Sequence, residues 1–178
     1  MNGAGGGVGT FAVQMAKSFG FEVTGVDSAE KLDMLRSIGT DHVIDYRQED
    51  FTSNEQCYDL IIDVVGNRSI FDCRRALSPR GIYVMVGGST ARLSQAMLLG
   101  LWSSITGRKK VFILLHKANK DLEFIIKLFE AGKAIPVIDR CYPLSEVPDA
   151  FRYFGEGSVK GKIVISVKQQ DNSGQIES

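Results

Sequence analysis

Asn2-Gly3-Ala4-Gly5-Gly6-Gly7-Val8-Gly9-Thr10 places five glycines within seven residues, directly ahead of a helical pattern. From Ala4 the stretch reads Ala4-x-Gly6-x-x-Gly9, the spacing of a dinucleotide-binding turn with alanine in the first glycine's place. A small first residue allows a tight turn out of a strand, Gly6 lets backbone approach a pyrophosphate, and Gly9 lets a helix sit close to a sheet. The amides of Gly7 and Val8 are expected to point at the anion, where the helix dipole adds a favourable field. Glycine clusters also occur as plain flexible loops, so the following residues decide. A helix pattern over residues 8–19 carries Phe11, Met15 and Phe19 four apart, with Ala12 and Ala16 beside them, and stops at Gly20. Residues 21–26 then read as a strand that ends in Asp27, eighteen residues beyond Gly9. That interval is close to the one at which a carboxylate reaches an adenosine ribose.

Working outward, the first irregularity is at residue one. A dinucleotide turn is fed by a strand that is central in the usual 3-2-1-4-5-6 order, and only Met1 and Asn2 precede these glycines. A gap there would leave two neighbouring strands without ladder partners, so a shortened form of something longer is the favoured expectation. Downstream, Ser28 is expected to cap a helix whose Leu32, Leu35 and Ile38 face the sheet, with Gly39 as its stop. Residues 42–45 form a short strand, and residues 58–65 an almost continuously apolar one, as a strand covered on both faces requires. A helix over 69–77, a turn at 78–81 and a strand over 82–86 running into Gly87-Gly88 follow. Met97, Leu98, Leu99, Leu101, Trp102 and Ile105 form an apolar helical stretch that fits a pocket wall or ordinary core equally well, and residues 111–115 are a sixth strand.

This alternation predicts an α/β fold with a doubly wound parallel sheet. From residue 119 the pattern changes to a helix over 121–131, a strand around 136–138, a helix over 144–154 capped by Ser145, and a closing strand over 162–167. The expected division is a dinucleotide-binding domain over 1–118, a C-terminal segment over 119–167 and a disordered polar tail over 168–178.

Composition excludes several partners. Lys plus Arg and Asp plus Glu are both 21, with a pI near 6.7, so there is no electrostatic footprint for nucleic acid or an anionic membrane. The cluster Arg108-Lys109-Lys110 is short and reads as a solvated turn. Cys57, Cys73 and Cys141 are odd in number and widely spaced, which fits a reduced, cytoplasmic protein rather than a disulfide framework. No apolar run approaches the roughly 18 residues of a membrane span, and the glycine-rich start is not a signal peptide. His42 and His116 lie far apart and no Cys/His spacing resembles a metal site, so none is expected. Arg68 and Asp63, near a strand end, could touch a ligand, but surface or helix-start roles are the favoured reading.

With these stretches in place, the chain resembles the cofactor-binding half of the medium-chain dehydrogenase/reductase superfamily, in its zinc-independent, zeta-crystallin-like quinone oxidoreductase branch. The matching stretches are residues 2–9, His42-Val43-Ile44-Asp45-Tyr46, Tyr58-Asp59-Leu60-Ile61-Ile62-Asp63-Val64-Val65-Gly66 and Gly161-Lys162-Ile163-Val164-Ile165. The resemblance implies a Rossmann domain together with a catalytic domain of small β-barrel fold, on which residues 119–167 would pack. It places Ala4, Gly6, Gly7, Val8 and Gly9 at the pyrophosphate turn, and Lys31 and Tyr46 where the branch holds a 2′-phosphate. Val65, Gly66, Val86, Gly87 and Gly88 fall beside the nicotinamide and its ribose.

Asp27, with Ser28 beside it, departs from the branch, which has a small or neutral residue there. In zinc-dependent alcohol dehydrogenases an acid at that point takes the ribose hydroxyls. Asp27 opposes a 2′-phosphate by like charge and Lys31 favours it, so the cofactor expected is NADP or NAD, with a slight lean to NADP. Lys31 also fits an ordinary helix-surface charge, and Tyr46 a strand-end aromatic. The implied activity is hydride transfer between nicotinamide and a quinone, enone or alcohol/carbonyl substrate, by an enzyme of which this chain is a truncated cofactor-binding part, weakly active or inactive alone. The alternative is a non-catalytic dinucleotide-binding module. No catalytic residue is assigned, and a homodimer through the sixth strand is the expected assembly.

Overall fold

The structure, a computed structural model, describes residues 1–88, 91–92, 94–97, 109–114 and 121–167. Leu98, Leu99, Leu101, Trp102, Ile105, Arg108, Leu115, His116 and the tail over 168–178 lie outside the described residues.

The glycine turn runs into helix α1 (Gly9–Ser18), which ends in a Schellman arrangement. Gly20, at φ +79°, donates its N–H to Lys17 O at 2.9 Å, and Phe21 donates to Ala16 O at 3.1 Å. Phe21 is thereby committed to closing the helix. The following strand β1 (Thr24–Asp27) starts three residues later than its composition suggests. A 3-10 turn (Ala29–Lys31) leads into α2 (Leu32–Ser37), and Ser28 makes no side-chain cap bond. Strands β2 (His42–Asp45), β3 (Tyr58–Asp63), β4 (Leu77–Met85) and β5 (Lys110–Ile113) follow, with α3 (Ile70–Arg75) between β3 and β4. All pair in parallel: β1 with β2, and β3 with β4 with β5.

Two residues join these halves. Asn2 makes parallel bridges to both Val26 and Asp63. Its N–H donates to Ile62 O at 2.9 Å and its carbonyl accepts from Val64 N at 3.0 Å, while Met1 O accepts from Val26 N at 2.9 Å. The sheet order is therefore β2-β1-Asn2-β3-β4-β5, the dinucleotide-binding order with a stub as its first strand. Beyond the stub the two neighbours separate around a cavity of about 530 Å³ whose lining includes Met1, Val13, Val23, Leu60 and Ile62. The Met1 ammonium donates to Thr24 O at 2.8 Å inside this slot, and burial pulls its pKa down to about 6 against the raising influence of Asp63.

The apolar core lies in two clusters. One packs Val13 of α1 and Leu35 of α2, both fully buried, on Ala4 and Val23. The other packs Ile70 and Cys73 of α3 on Leu77, Tyr83 and Met85 of β4 and on Ile61 of β3. Each such fully buried aliphatic contributes about 1.5–3 kcal/mol relative to exposure. Burial also pushes the Cys73 thiol up to about 12, so it is held protonated.

Strand β4 begins at Leu77 rather than residue 82. Its pairing with β3 shifts register between Tyr58 and Leu60, so the Ser78-Pro79-Arg80-Gly81 stretch is absorbed as an irregularity of the strand. After α4 (Leu122–Glu130) comes β6 (Ile138–Pro143), which starts where the strand expected around 136–138 should end. A 3-10 turn (Leu144–Glu146) precedes α5 (Val147–Gly155), with Pro148 in its first turn and Glu146 as its N-cap. Ser145, expected as that cap, makes no cap bond because the helix starts later. The closing strand β7 (Lys162–Ser166) pairs only with β6, in parallel, as a separate two-stranded sheet.

This segment is fastened to the first helix and turn. Gln14 Nε2 donates to Ile135 O at 2.9 Å, and Ile135 N donates back to Gln14 Oε1 at 2.8 Å. Phe129 meets Phe11 edge-on at 5.6 Å between centroids, and Gly161 N donates to Gly5 O at 2.9 Å.

Candidate dinucleotide-binding site

The turn is pinned before the helix begins. Gly3 and Ala4 both donate to Val26 O, at 3.0 and 3.2 Å, and Gly6 N reaches Gly3 O at 3.4 Å. A Cβ on Gly9 would run into the carbonyl oxygens of Gly3 and Ala4, so α1 can start this close only with glycine there. A Cβ on Gly6 would meet nothing nearer than Gly3 O at 3.7 Å, which leaves open space in front of it. The first bonded amide is that of Thr10, to Gly6 O at 3.0 Å. The N–H groups of Gly7, Val8 and Gly9 have no protein acceptor among the described residues. Three successive free donors at the positive end of a helix make a cradle for an anion.

A cation lies against the same turn. Lys162, at the start of β7, carries its Nζ within 2.6 Å of where a Gly7 Cβ would be. It has no carboxylate partner among the described residues. An ammonium facing the positive end of a helix is unfavourable by itself, and an anion between the two would satisfy both. No local signal in the sequence marks Lys162, because more than 150 residues of chain separate it from the turn. A diphosphate fits these groups.

Asp27 lies at the C-terminal end of β1 and faces the turn. Its Oδ2 accepts from Gly5 N at 2.7 Å, and its Oδ1 accepts from Ser28 N at 2.9 Å and stands 3.5 Å from Lys31 Nζ. The Asp27 and Lys31 side chains are only 11% and 10% exposed. Lys31 is therefore not a helix-surface charge. Its stem packs on Gly5, and its ammonium donates to Gly157 O at 3.0 Å. Tyr46 follows β2, donates its N–H to Asp27 O at 3.1 Å, and keeps its ring exposed with the Arg47 guanidinium 5.6 Å from the ring centre. Arg68 reaches Tyr46 O at 3.4 Å and pairs with Asp50 at 3.0 Å.

Val65, Gly66, Val86, Gly87 and Gly88 gather at the C-terminal ends of β3 and β4, next to the turn. Gly66 (φ +65°) abuts Gly87, whose carbonyl oxygen would stand 2.6 Å from a Gly66 Cβ. Gly3 (φ +79°) packs on Val65 in the same way. Thus every residue singled out from the sequence for the cofactor lies along one sheet edge, from Tyr46 through Asp27 and the turn to Gly88. Asp63 is not at the surface, contrary to expectation, but fully buried beneath this edge. A carboxylate inside an otherwise apolar strand was the signal for that. Among the described residues no group of three His, Cys, Asp or Glu could hold a metal, so a zinc centre does not fit them. No helix among them is long and apolar enough to cross a membrane.

A family model described as zinc-binding dehydrogenase matches residues 38–165. The mitochondrial NAD(P)H oxidoreductase RTN4IP1 of Mus musculus is 32% identical over 187 residues, which take in 93% of this chain and 46% of the relative. Trans-enoyl reductase pgmF of Aspergillus terreus is 29% identical, over 95% of this chain and 51% of its own length. Among solved structures, the quinone oxidoreductase from Coxiella burnetii superposes with a TM-score of 0.78 at 29% identity, covering 94% of this chain and 51% of that one. The chain spans about half the length of the curated relatives it matches.

Proposed function

The chain belongs to the zinc-binding dehydrogenase family, and from that premise we propose that it is the cofactor-binding part of an NAD(P)H-dependent oxidoreductase. The reaction proposed is hydride transfer between nicotinamide and a quinone, enone or carbonyl substrate. One observation carries this reading: three amides at the start of α1 have no acceptor among the described residues, the space in front of Gly6 is open, and the Lys162 side chain lies against Gly7. Gly7, Val8, Gly9 and Lys162 would hold the diphosphate, and Asp27, Ser28, Lys31 and Tyr46 the adenosine ribose. Val65, Gly66, Val86, Gly87 and Gly88 would flank the nicotinamide. When bound, the dinucleotide supplies the hydride, and the chain's own work is to position it and exclude water. Residues 119–167 are the part that would meet a substrate domain.

Lys31 favours NADP over NAD. Its charge and two amides already offset the Asp27 carboxylate, so a 2′-phosphate near Lys31 and Tyr46 meets little net repulsion. Lys31→Met keeps the stem over Gly5 and removes the charge. Fluorescence titration is expected to show NADPH weakened about tenfold or more and NADH changed less than about twofold, since charge-assisted contacts are worth about 1.5–3 kcal/mol. Equal losses for both cofactors would refute the preference. Saturable NADPH binding with no quinone reduction, even when the chain is joined to a substrate domain, would favour the non-catalytic module.

A homodimer through β5 is part of the proposal, because among the described residues its outer edge is unpaired and Phe112, with Leu114 just after the strand, is exposed. Sedimentation is expected to give twice the monomer mass at micromolar concentration; monomer alone would count against it. The cytoplasm is the location proposed from cysteine usage, with the mitochondrion of the RTN4IP1 relative as the alternative.

A further inference from the structure

A carboxylate taken out of water is costly unless donors surround it. Asp63 is 0% exposed, yet no lysine or arginine pairs with it among the described residues. Four neutral donors surround it instead. Oδ1 accepts from Gly66 N at 2.7 Å, Asn2 Nδ2 at 2.9 Å and Val65 N at 3.2 Å, and Oδ2 accepts from the Tyr83 hydroxyl at 2.9 Å. Its main-chain carbonyl accepts from Val86 N at 2.8 Å and Gly87 N at 3.4 Å. Burial, and then the Asp63 charge, raise the Tyr83 pKa, so that hydroxyl stays a donor.

These donors come from three separate places: the entrance to the glycine turn, the loop after β3 and the neighbouring strand β4. Asn2 also donates to Asn67 Oδ1 at 3.0 Å, which draws the loop after β3 toward the turn. Three of the four donors converge on Oδ1 and one on Oδ2. An isosteric amide would turn an NH₂ toward Tyr83 and weaken the remaining bonds, which are stronger to a charged acceptor.

We propose that Asp63 is a positioning residue for the nicotinamide end of the dinucleotide: its carboxylate sets the spacing between the glycine turn and the loops that carry Gly66 and Gly87. The proposal rests on the dinucleotide reading above. It separates the two ends of the ligand, since the adenosine side is built by Asp27, Lys31 and Tyr46, none of which touches Asp63.

The test uses the 178-residue chain with Asp63→Asn and, because that variant could fail to fold, Tyr83→Phe, which removes one donor and keeps the ring. Each is titrated with NADPH and with 2′-AMP, which lacks the nicotinamide half, and amide exchange is followed in the apo chain. NADPH affinity is expected to fall about tenfold in Asp63→Asn and about threefold in Tyr83→Phe, with 2′-AMP within about twofold of the parent in both. The Gly66 and Gly87 amides are expected to exchange at least about tenfold faster, while those of α1 keep their protection. Equal weakening of both ligands, or unchanged NADPH binding in both variants, would overturn the positioning role and leave the cofactor reading intact. Failure of the parent chain to bind NADPH or 2′-AMP at all would instead overturn the cofactor reading, and this inference with it.

Discussion

Gly9→Ala is expected to weaken dinucleotide binding by about ten- to a hundredfold and to destabilise the fold by about 1–3 kcal/mol. The added methyl would collide with the carbonyl oxygens of Gly3 and Ala4, and neither can retreat, because both residues are bonded through their N–H groups to Val26 O. Helix α1 must therefore back away from the sheet, taking the free amides of Gly7, Val8 and Gly9 with it. Gly6→Ala makes the contrast. With 3.7 Å to its nearest neighbour, its methyl is accommodated in the free protein and obstructs only the approach of the anion. Thermal unfolding and fluorescence titration of the two variants separate the effects: Gly9→Ala loses stability and binding together, Gly6→Ala loses binding alone. A Gly9→Ala protein as stable as its parent would show that the turn is looser than its packing indicates.

The second large effect concerns the slot beside Met1. Joining about five extended, apolar residues ahead of Met1 is expected to stabilise the chain by about 3 kcal/mol or more. The added segment would fill the 530 Å³ cavity, pair with the edges of β1 and β3 beyond Asn2, and turn the buried ammonium into an amide. The last change has its own signature. With the amine pKa near 6 in the folded state and near 8 when unfolded, both states are neutral above pH 8 and no penalty exists. As pH falls from 8 to 6 the unfolded amine takes up a proton and the folded one does not, so stability drops by about 2–3 kcal/mol. The extended chain has no such amine in the slot. Urea unfolding at pH 6 and pH 8.5 should show a strong dependence for the 178-residue chain and a weak one for the extended chain; parallel profiles would refute the account.

The parts of the fold carried by local rules could be read from the residues alone. The glycine turn, the Gly20 stop and the apolar strands announce themselves because backbone conformation and period act over a few residues. Places where distant chain decides were not legible. Ser78-Pro79-Arg80-Gly81 has the composition of a turn, yet β3 captures it as an irregular start to β4. Ser145 satisfies the local rule for a cap, but a 3-10 turn ending at Glu146 and Pro148 just beyond it set the start of α5. At the site, Asp27 was visible from its interval after the turn, whereas its grip on the Gly5 amide depends on tertiary geometry. For that reason Lys162 passes unmarked, Asp63 reads as a surface or helix-start residue, and the burial of Lys31 is not visible either. Helix position, strand membership or an unremarkable charge describes each locally, and only folding brings them beneath or above one edge of the sheet.

The fastening of the last segment to the first bears on how the chain matures at the ribosome. Gly5, Gly7 and Lys31 are made more than 120 residues ahead of the groups that lie against them, Gly161, Lys162 and the Gly157 carbonyl. Until residues 157–162 have been made the glycine turn lacks the cation that lies against it, so a nascent chain that stops short of them should hold nucleotide poorly, and cofactor capture reports that this stretch has been reached.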